Sequence, residues 1–172
     1  MIRHYPIRKL ILHGVIGGLI AGAVFAAAQI VVTVLLGGNW LTPIRLFASI
    51  GLGTVALDAV YPLVNVLVVG LLIHAILSAG YGVAFFVILA AIRQIGNTRG
   101  MLLFYGSLYG LLLWVTNFYW TAPLYFPQFL ELHQVWHGVV AHTFFFGTVL
   151  GAYTAAVKPA RWVEKAIPAA DR

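Results

Sequence analysis

The four long apolar segments of this sequence contain no Asp, Glu, Lys or Arg, so acid–base or metal chemistry inside them depends on histidine. His74 and His142 lie at similar depths in the second and fourth of these segments. Two imidazoles on facing helices could ligate the iron of a b-type haem. Alternatively, each neutral imidazole hydrogen-bonds a neighbouring helix, through Ser78, Thr143 or Asn117, and specifies packing only.

A second group of histidines lies at the beginning of the fourth segment. His133 and His137 are four residues apart, which places both rings on one face of a helix, and Glu131 lies just upstream. Imidazoles at this spacing chelate zinc or copper when further ligands join them. Asp58 and His142 are the remaining donors, but the sequence alone does not bring them together. An ordinary polar rim is the alternative interpretation of the same residues.

The residues that common enzyme classes require are missing. The sequence has no cysteine, no Gly-rich phosphate loop after a strand and no carboxylate within the apolar segments. Thiolate catalysis, a P-loop ATPase, a Ser-His-Asp hydrolase and a proton-coupled carrier therefore lack their usual equipment. We predict a non-catalytic protein without a required cofactor, and we keep haem b or a divalent metal at the histidines as the alternative.

The composition indicates that lipid surrounds most of the chain. Of 172 residues, 62% are hydrophobic and 8% are charged, whereas soluble domains carry about 25% charged residues. Four segments are long enough to cross the hydrocarbon core as helices, from about Leu10 to Leu36, Val64 to Ile92, Met101 to Ala122 and Val135 to Val157. The first could be a secretory signal, but its apolar run is longer than a signal core, which predicts an uncleaved span.

Positive residues give the predicted orientation. Nine of the ten Lys and Arg residues lie on the side of the two termini, and only Arg45 lies on the other side. The positive-inside rule therefore places both termini, including the tail 158–172, in the cytoplasm of a bacterial inner membrane. Basic flanks are attracted to anionic lipid headgroups, so the net charge of +6 requires no nucleic-acid partner. With Arg45 as the only outer cation, haem propionates would be poorly neutralised.

An apolar segment too short to cross a membrane lies between the first two spans. It runs from about Leu46 to Leu57 and is bounded by Pro43 and Asp58. We expect an interfacial or partly re-entrant helix that caps the bundle on the outside. Gly51 and Gly53 work against this helix, since each costs about 1 kcal/mol of helix propensity.

Small residues recur every four positions along the spans, a pattern that lets helix backbones approach closely. The sequence therefore predicts an all-α fold, a tight bundle of four transmembrane helices. The second span offers Gly70, His74, Ser78 and Gly82 on one broad face. The recurring glycines of the other three spans are Gly14, Gly18, Gly22, Gly106, Gly110, Gly147 and Gly151.

The chain is predicted to be one membrane domain, 1–172, built from two hairpins at about 10–92 and 101–157. Trp40-Leu41-Thr42-Pro43 follows the first span, and the similar Trp120-Thr121-Ala122-Pro123 ends the third. A duplicated hairpin, with its copies related by an axis normal to the membrane, would produce this match. Convergence explains it about as well, because Trp and Pro are both favoured at outer helix ends.

Several motifs are spread over nearly the whole chain. In the second span, His74 precedes the sequence Ser-Ala-Gly-Tyr-Gly. The third span opens with Tyr-Gly-Ser-Leu-Tyr-Gly, which is followed by Asn117 and Pro123. In the fourth span, His142 precedes a pair of glycines. In this order the motifs resemble those of small four-helix bacterial inner-membrane proteins of unassigned function. The resemblance implies a fold and a membrane location, and it transfers no activity.

The small-residue faces outnumber those that a four-helix bundle requires. Gly17 and Ala21 give the first span a second such face, and Phe144-Phe145-Phe146 gives the fourth span an apolar outer wall. We therefore expect an accessory or scaffold subunit that packs against lipid and against other integral membrane subunits. A respiratory or photosynthetic complex is the kind of assembly expected.

Overall fold

A computed structural model describes residues 7–92, 98–131 and 135–157, which form helices and no strand. Four helices are long and apolar enough to cross a membrane, namely Ile7–Leu35, Leu63–Ala91, Arg99–Tyr125 and Trp136–Val157, here called the first to fourth spans. Each begins and ends within three residues of its predicted bounds. The predicted all-α fold with four membrane helices is confirmed.

A shorter apolar helix, Thr42–Leu52, lies between the first two spans as predicted, and a 3-10 turn at Thr54–Leu57 follows it. We call Thr42–Leu52 the short helix. It begins before the predicted boundary, because Pro43 lies in its first turn, where the missing N–H would have had no helical acceptor. Gly53 ends the short helix with a φ of +77°, which glycine adopts without steric cost.

The short helix packs against the beginning of the second span. A Cβ added at Gly70 would lie 2.6 Å from the carbonyl oxygen of Ile44 and 3.2 Å from the amide nitrogen of Ala48, so the two backbones are nearly in contact. The ring of Phe47 stacks on His74 with the centroids 4.4 Å apart. These contacts fall seven and eleven residues into the span, or about 10 to 17 Å at 1.5 Å per residue. Of the two predicted arrangements, this packing favours the re-entrant one.

Backbone contact joins the four spans in pairs, the first with the second and the third with the fourth. A Cβ added at Gly18 would overlap the carbonyl oxygen of Ser78, and one added at Gly82 would overlap that of Gly14. No side chain fits at such positions, which explains why small residues recur there. The corresponding close approaches in the second pair involve Gly106, Gly110, Gly147 and Gly151.

The first span also packs against the fourth, and it does so through its second small-residue face. A Cβ at Gly17 would lie 2.6 Å from the Tyr153 ring and 3.1 Å from Leu150, and Ala21 is fully buried. A hydrogen bond of 2.8 Å joins His13 Nδ1 to the Tyr153 hydroxyl. This face is therefore occupied inside the bundle, so it gives no reason to expect an external partner.

Side chains bridge the second and third spans. The Tyr109 hydroxyl donates to the carbonyl oxygen of Tyr81 at 2.8 Å, and the Tyr81 hydroxyl donates to the carboxamide oxygen of Asn117 at 3.1 Å. The rings of Phe85 and Tyr109 are in contact, with centroids 5.1 Å apart. The bundle is thus tight within each glycine-packed pair and looser between the pairs.

Candidate functional site

A cavity of about 500 Å³ lies between the two helix pairs, at the end of the bundle that carries the short helix. We call this end the capped end and the cavity the capped-end cavity. All four spans contribute to its wall, together with the short helix and the residues Phe126 and Phe129. Its volume falls within the range of about 300 to 1,000 Å³ that is typical of small-molecule sites.

The cavity begins where the glycine contacts end. In the first span, Gly22 is followed along the chain by Phe25, and in the third span Gly110 is followed by Leu113. Both of these larger side chains line the cavity. The helix pairs therefore separate toward the capped end and leave room between them.

Each helix pair contributes the same kinds of polar side chain to the wall. Both provide a carboxamide, a threonine four residues after it, and a histidine. These residues are Gln29, Thr33 and His74 in the first pair and Asn117, Thr121 and His142 in the second. The rest of the wall is mainly aromatic and aliphatic, so two similar polar sets, one from each hairpin, face a single apolar space.

Two stretches of π-helix lie at the cavity, and the hydrophobic pattern of the sequence predicts neither of them. Asn117–Thr121 interrupts the α-helix of the third span, and Ala141–Thr148 interrupts that of the fourth. The hydroxyls of Thr121 and Thr148 donate to carbonyl oxygens five residues earlier, at 3.3 and 3.1 Å. A π turn holds one more residue than an α turn, and such insertions are frequent at functional sites.

His74 is fixed by a hydrogen bond and by ring stacking. Its Nε2 donates to the carbonyl oxygen of Gly22 at 2.9 Å, and its ring stacks on Phe47 and Phe25 with centroid distances of 4.4 and 5.8 Å. The hydrogen bond crosses from the second span to the first. It is a hydrogen bond to a neighbouring helix, but its acceptor is a backbone carbonyl oxygen rather than the side chain of Ser78, Thr143 or Asn117.

His142 belongs to the same aromatic cluster. Its Nδ1 donates to the carbonyl oxygen of Gly138 in its own helix at 2.9 Å, and the Phe25 ring meets it edge-on at 4.8 Å. Phe25 thus contacts both imidazoles. A haem ligated by His74 and His142 together would have to displace Phe25 and break the hydrogen bond to Gly22. Each imidazole therefore makes a packing contact, and a haem shared by these two histidines stays a prediction.

The second predicted group of histidines is described only in part. His137 lies in the cavity wall, and its Nε2 is buried without a hydrogen-bond partner among the residues that the structure describes. Glu131 is exposed, and His133 lies outside the described residues. Within residues 7–92, 98–131 and 135–157, no three histidine or carboxylate side chains come together as metal ligands would. A metal site at His133 and His137 stays a prediction.

The described wall of the cavity includes no Asp, Glu, Lys or Arg. Arg45 of the short helix donates to the carbonyl oxygens of Ala56 and Asp58 at 2.9 and 2.6 Å, so its charge stabilises the connection to the second span. The Asp58 carboxylate accepts a hydrogen bond from the amide of Val60 at 3.1 Å. The described cavity wall is therefore mostly apolar, and its polar side chains are uncharged.

The chain matches no protein-family model, no curated protein and no solved structure. The resemblance to small four-helix inner-membrane proteins therefore stays a prediction. What the structure does establish is a multi-pass helical membrane protein with a mostly apolar cavity between its two helix pairs, whose described polar side chains are uncharged.

Proposed function

We propose that this chain is a non-catalytic accessory protein of the bacterial inner membrane that holds a small amphipathic molecule in the capped-end cavity. The observation that carries the proposal is the cavity itself, about 500 Å³ inside a membrane bundle, with an apolar wall and two sets of uncharged polar side chains. Ligand sites are typically concave, mostly apolar and supplied with a few polar groups that fix the ligand's orientation.

The polar groups of the cavity suit binding better than catalysis. His74 and His142 each use one ring nitrogen to donate to a backbone carbonyl oxygen. A hydrogen bond to a carboxylate makes a histidine a stronger general base, and the described wall supplies no carboxylate. Carboxamides, hydroxyls and imidazoles without such a partner recognise a ligand by hydrogen bonding.

The proposal places the capped end outside the cell and both termini in the cytoplasm. Its support is the distribution of positive residues, with Arg8, Lys9 and Arg99 at the terminal end of the spans and Arg45 at the capped end. Exposed aromatic rings at the capped end would lie in the headgroup layer. These residues are Trp40, Tyr119, Trp120, Tyr125 and Trp136.

A pair of double variants tests ligand binding. Leu77 and Leu113 line the cavity, whereas Leu72 and Leu112, on the same two spans, do not. Native mass spectrometry of the protein released from mild detergent should show a bound mass in the wild type and in L72W/L112W. The bulkier indoles of L77W/L113W should abolish it. A wild-type chain released without a bound mass, or equal binding by both variants, would overturn the proposal.

The accessory role has its own test. Phe144 and Phe145 are exposed as the predicted outer wall requires, but Phe146 is buried, so two residues form that wall instead of three. Membranes solubilised in digitonin should give a native-gel band well above that of the purified 18.7 kDa chain in the same detergent. Migration identical to that of the purified chain would contradict a role in a larger assembly.

A further inference from the structure

We propose that the molecule held in the capped-end cavity is an uncharged, carbonyl-bearing lipid that enters sideways from the bilayer, between the first and fourth spans. This inference rests on the proposed function and adds the chemical class of the ligand and its route. Three features support it: the charge of the wall, the hydrogen-bonding groups in it, and a groove that adjoins it.

The charge of the wall argues against an ionic headgroup. No Lys, Arg, Asp or Glu lines the described cavity, and Arg45 is already hydrogen-bonded to the carbonyl oxygens of Ala56 and Asp58. A phosphate, carboxylate or ammonium group in the cavity would be buried without an opposite charge, which is strongly unfavourable. The head of the ligand is therefore uncharged.

The hydrogen-bonding groups favour an acceptor on the ligand. The carboxamide oxygen of Asn117 accepts from the Tyr81 hydroxyl, which leaves the amide NH₂ group as the donor side of Asn117. The buried Nε2 of His137 has no partner among the described residues, and as the N–H tautomer it is a second donor. A buried polar atom is costly unless it is hydrogen-bonded. A carbonyl oxygen on the ligand would satisfy such donors.

A narrow groove between the first and fourth spans adjoins the cavity and shares part of its wall. Gln29, Val32 and His137 line both spaces, and the groove then runs past Val140 to Phe145. Val140 and Phe145 are exposed on the outer surface of the fourth span, which faces lipid when the spans cross a membrane. The groove therefore leads from the polar wall to the acyl region of the bilayer.

This route fits the packing of the two spans. Closer to the termini, the first and fourth spans are in direct contact through Gly17 and Leu150, and then through Phe25 and Phe146. The groove begins beyond these contacts, toward the capped end. A lipid with its head in the cavity and its chain in the groove would widen the groove, which has a volume of only about 20 Å³, and leave the packed portions of the two spans in contact.

Photolabelling in nanodiscs of dioleoylphosphatidylcholine tests the chemical class. One probe is diacylglycerol with a diazirine in one acyl chain, and the other is phosphatidic acid with the same chains. We expect diacylglycerol to label cavity and groove residues at least about tenfold more, since a tenfold ratio needs only about 1.4 kcal/mol of discrimination. Displacement of the label by unlabelled diacylglycerol indicates a glycerolipid, and displacement by decylubiquinone indicates a quinone. Both belong to the proposed class.

Two kinds of variant test the site and the route separately. Asn117→Leu and His137→Leu remove donors and should lower the final extent of labelling several-fold. Ala28 lines the groove but not the cavity, so Ala28→Phe should slow the labelling of cavity residues. Val31→Phe, at an exposed position of the same span, is the matched control. Thermal midpoints and gel-filtration profiles like those of the wild type show that each variant is folded.

The outcomes separate this inference from the proposed function. Equal labelling by phosphatidic acid would overturn the uncharged head, and equal rates for Ala28→Phe and Val31→Phe would overturn the route. In either case, a bound mass that L77W/L113W loses would still support ligand binding. A cavity that holds only water would give neither the label nor the mass, and both proposals would be wrong.

Discussion

Replacing Gly18 with alanine should destabilise the bundle, whereas the same change at Gly80 should not. A Cβ at Gly18 would overlap the carbonyl oxygen of Ser78 and lie 2.9 Å from its carbonyl carbon, although ordinary contacts begin at 3.4 Å. The two backbones would therefore have to separate by at least 0.5 Å, the difference between these distances. At Gly80, on the second span, an added Cβ would meet nothing within 4 Å.

The difference between these two variants isolates the effect of the backbone contact. Overfilling a packed interior costs about 1 to 3 kcal/mol, and separating the helices also weakens dispersion contacts around the site. Alanine recovers about 1 kcal/mol of helix propensity, but it does so at both positions, so this gain cancels. The free energy of unfolding of Gly18→Ala should therefore be about 1 to 3 kcal/mol below that of Gly80→Ala.

Unfolding in dodecylmaltoside micelles with an increasing fraction of SDS measures this difference. Trp114 is buried against the bundle, so tryptophan fluorescence should follow the loss of packing. The transition of Gly18→Ala should occur at a lower SDS fraction than those of the wild type and Gly80→Ala. Coincident transitions for the two alanine variants would refute the claim that backbone contact at Gly18 holds the first and second spans together.

Three further predictions use the same protein. Because the chain has no cysteine, single introduced cysteines report topology, and a membrane-impermeant maleimide added to cells should label Tyr125→Cys but not Arg99→Cys. The reverse labelling pattern would contradict the proposed orientation. His74→Gln keeps a donor for the Gly22 carbonyl oxygen, so the SDS titration should show a loss of at most about 1.7 kcal/mol; loss of a bound haem or metal would instead support ligation. Ser107 and Thr148 share a hydrogen bond of 2.7 Å between the third and fourth spans, so a double-mutant cycle to alanine should give a coupling free energy of about 0.6 kcal/mol. A coupling of zero would show that this hydrogen bond does not contribute to stability.

The membrane helices could be predicted because their signals are local. Each span contains a long apolar run without Asp, Glu, Lys or Arg, and lipid requires such a run to satisfy its backbone internally as a helix. The close approach at Gly18 and Gly110 follows the same small-residue pattern that was visible in the sequence. The pattern did not show which faces meet, so the face at Gly17 was assigned to a partner, although it packs against the fourth span.

The cavity could not be predicted, because it depends on how the helix pairs separate. A signal for it was nevertheless present in the sequence. Seven residues separate Gly22 from Gln29 in the first span and Gly110 from Asn117 in the third, and a threonine follows four residues after each carboxamide. When the two hairpins are aligned on these residues, each residue of the second hairpin lies 88 positions after its counterpart in the first. Trp120, by contrast, lies 80 positions after Trp40. The carboxamides and threonines of the cavity wall follow the former offset, whereas His74 and His142 are 68 residues apart and follow neither.

The π-helix of the fourth span resolves a conflict between packing and the cavity. In the second span His74 and Ser78 are four residues apart, but in the fourth span His142 and Gly147 are five apart. In an α-helix, at about 100° per residue, five residues would place His142 and Gly147 about 140° apart around the axis. The imidazole could then not line the cavity while the glycine met Gly106. Ala141–Thr148 takes up the extra residue in wider turns, which returns both residues to the inner side of the span. The glycine contacts thus keep their register, and the polar set of the second hairpin still faces that of the first.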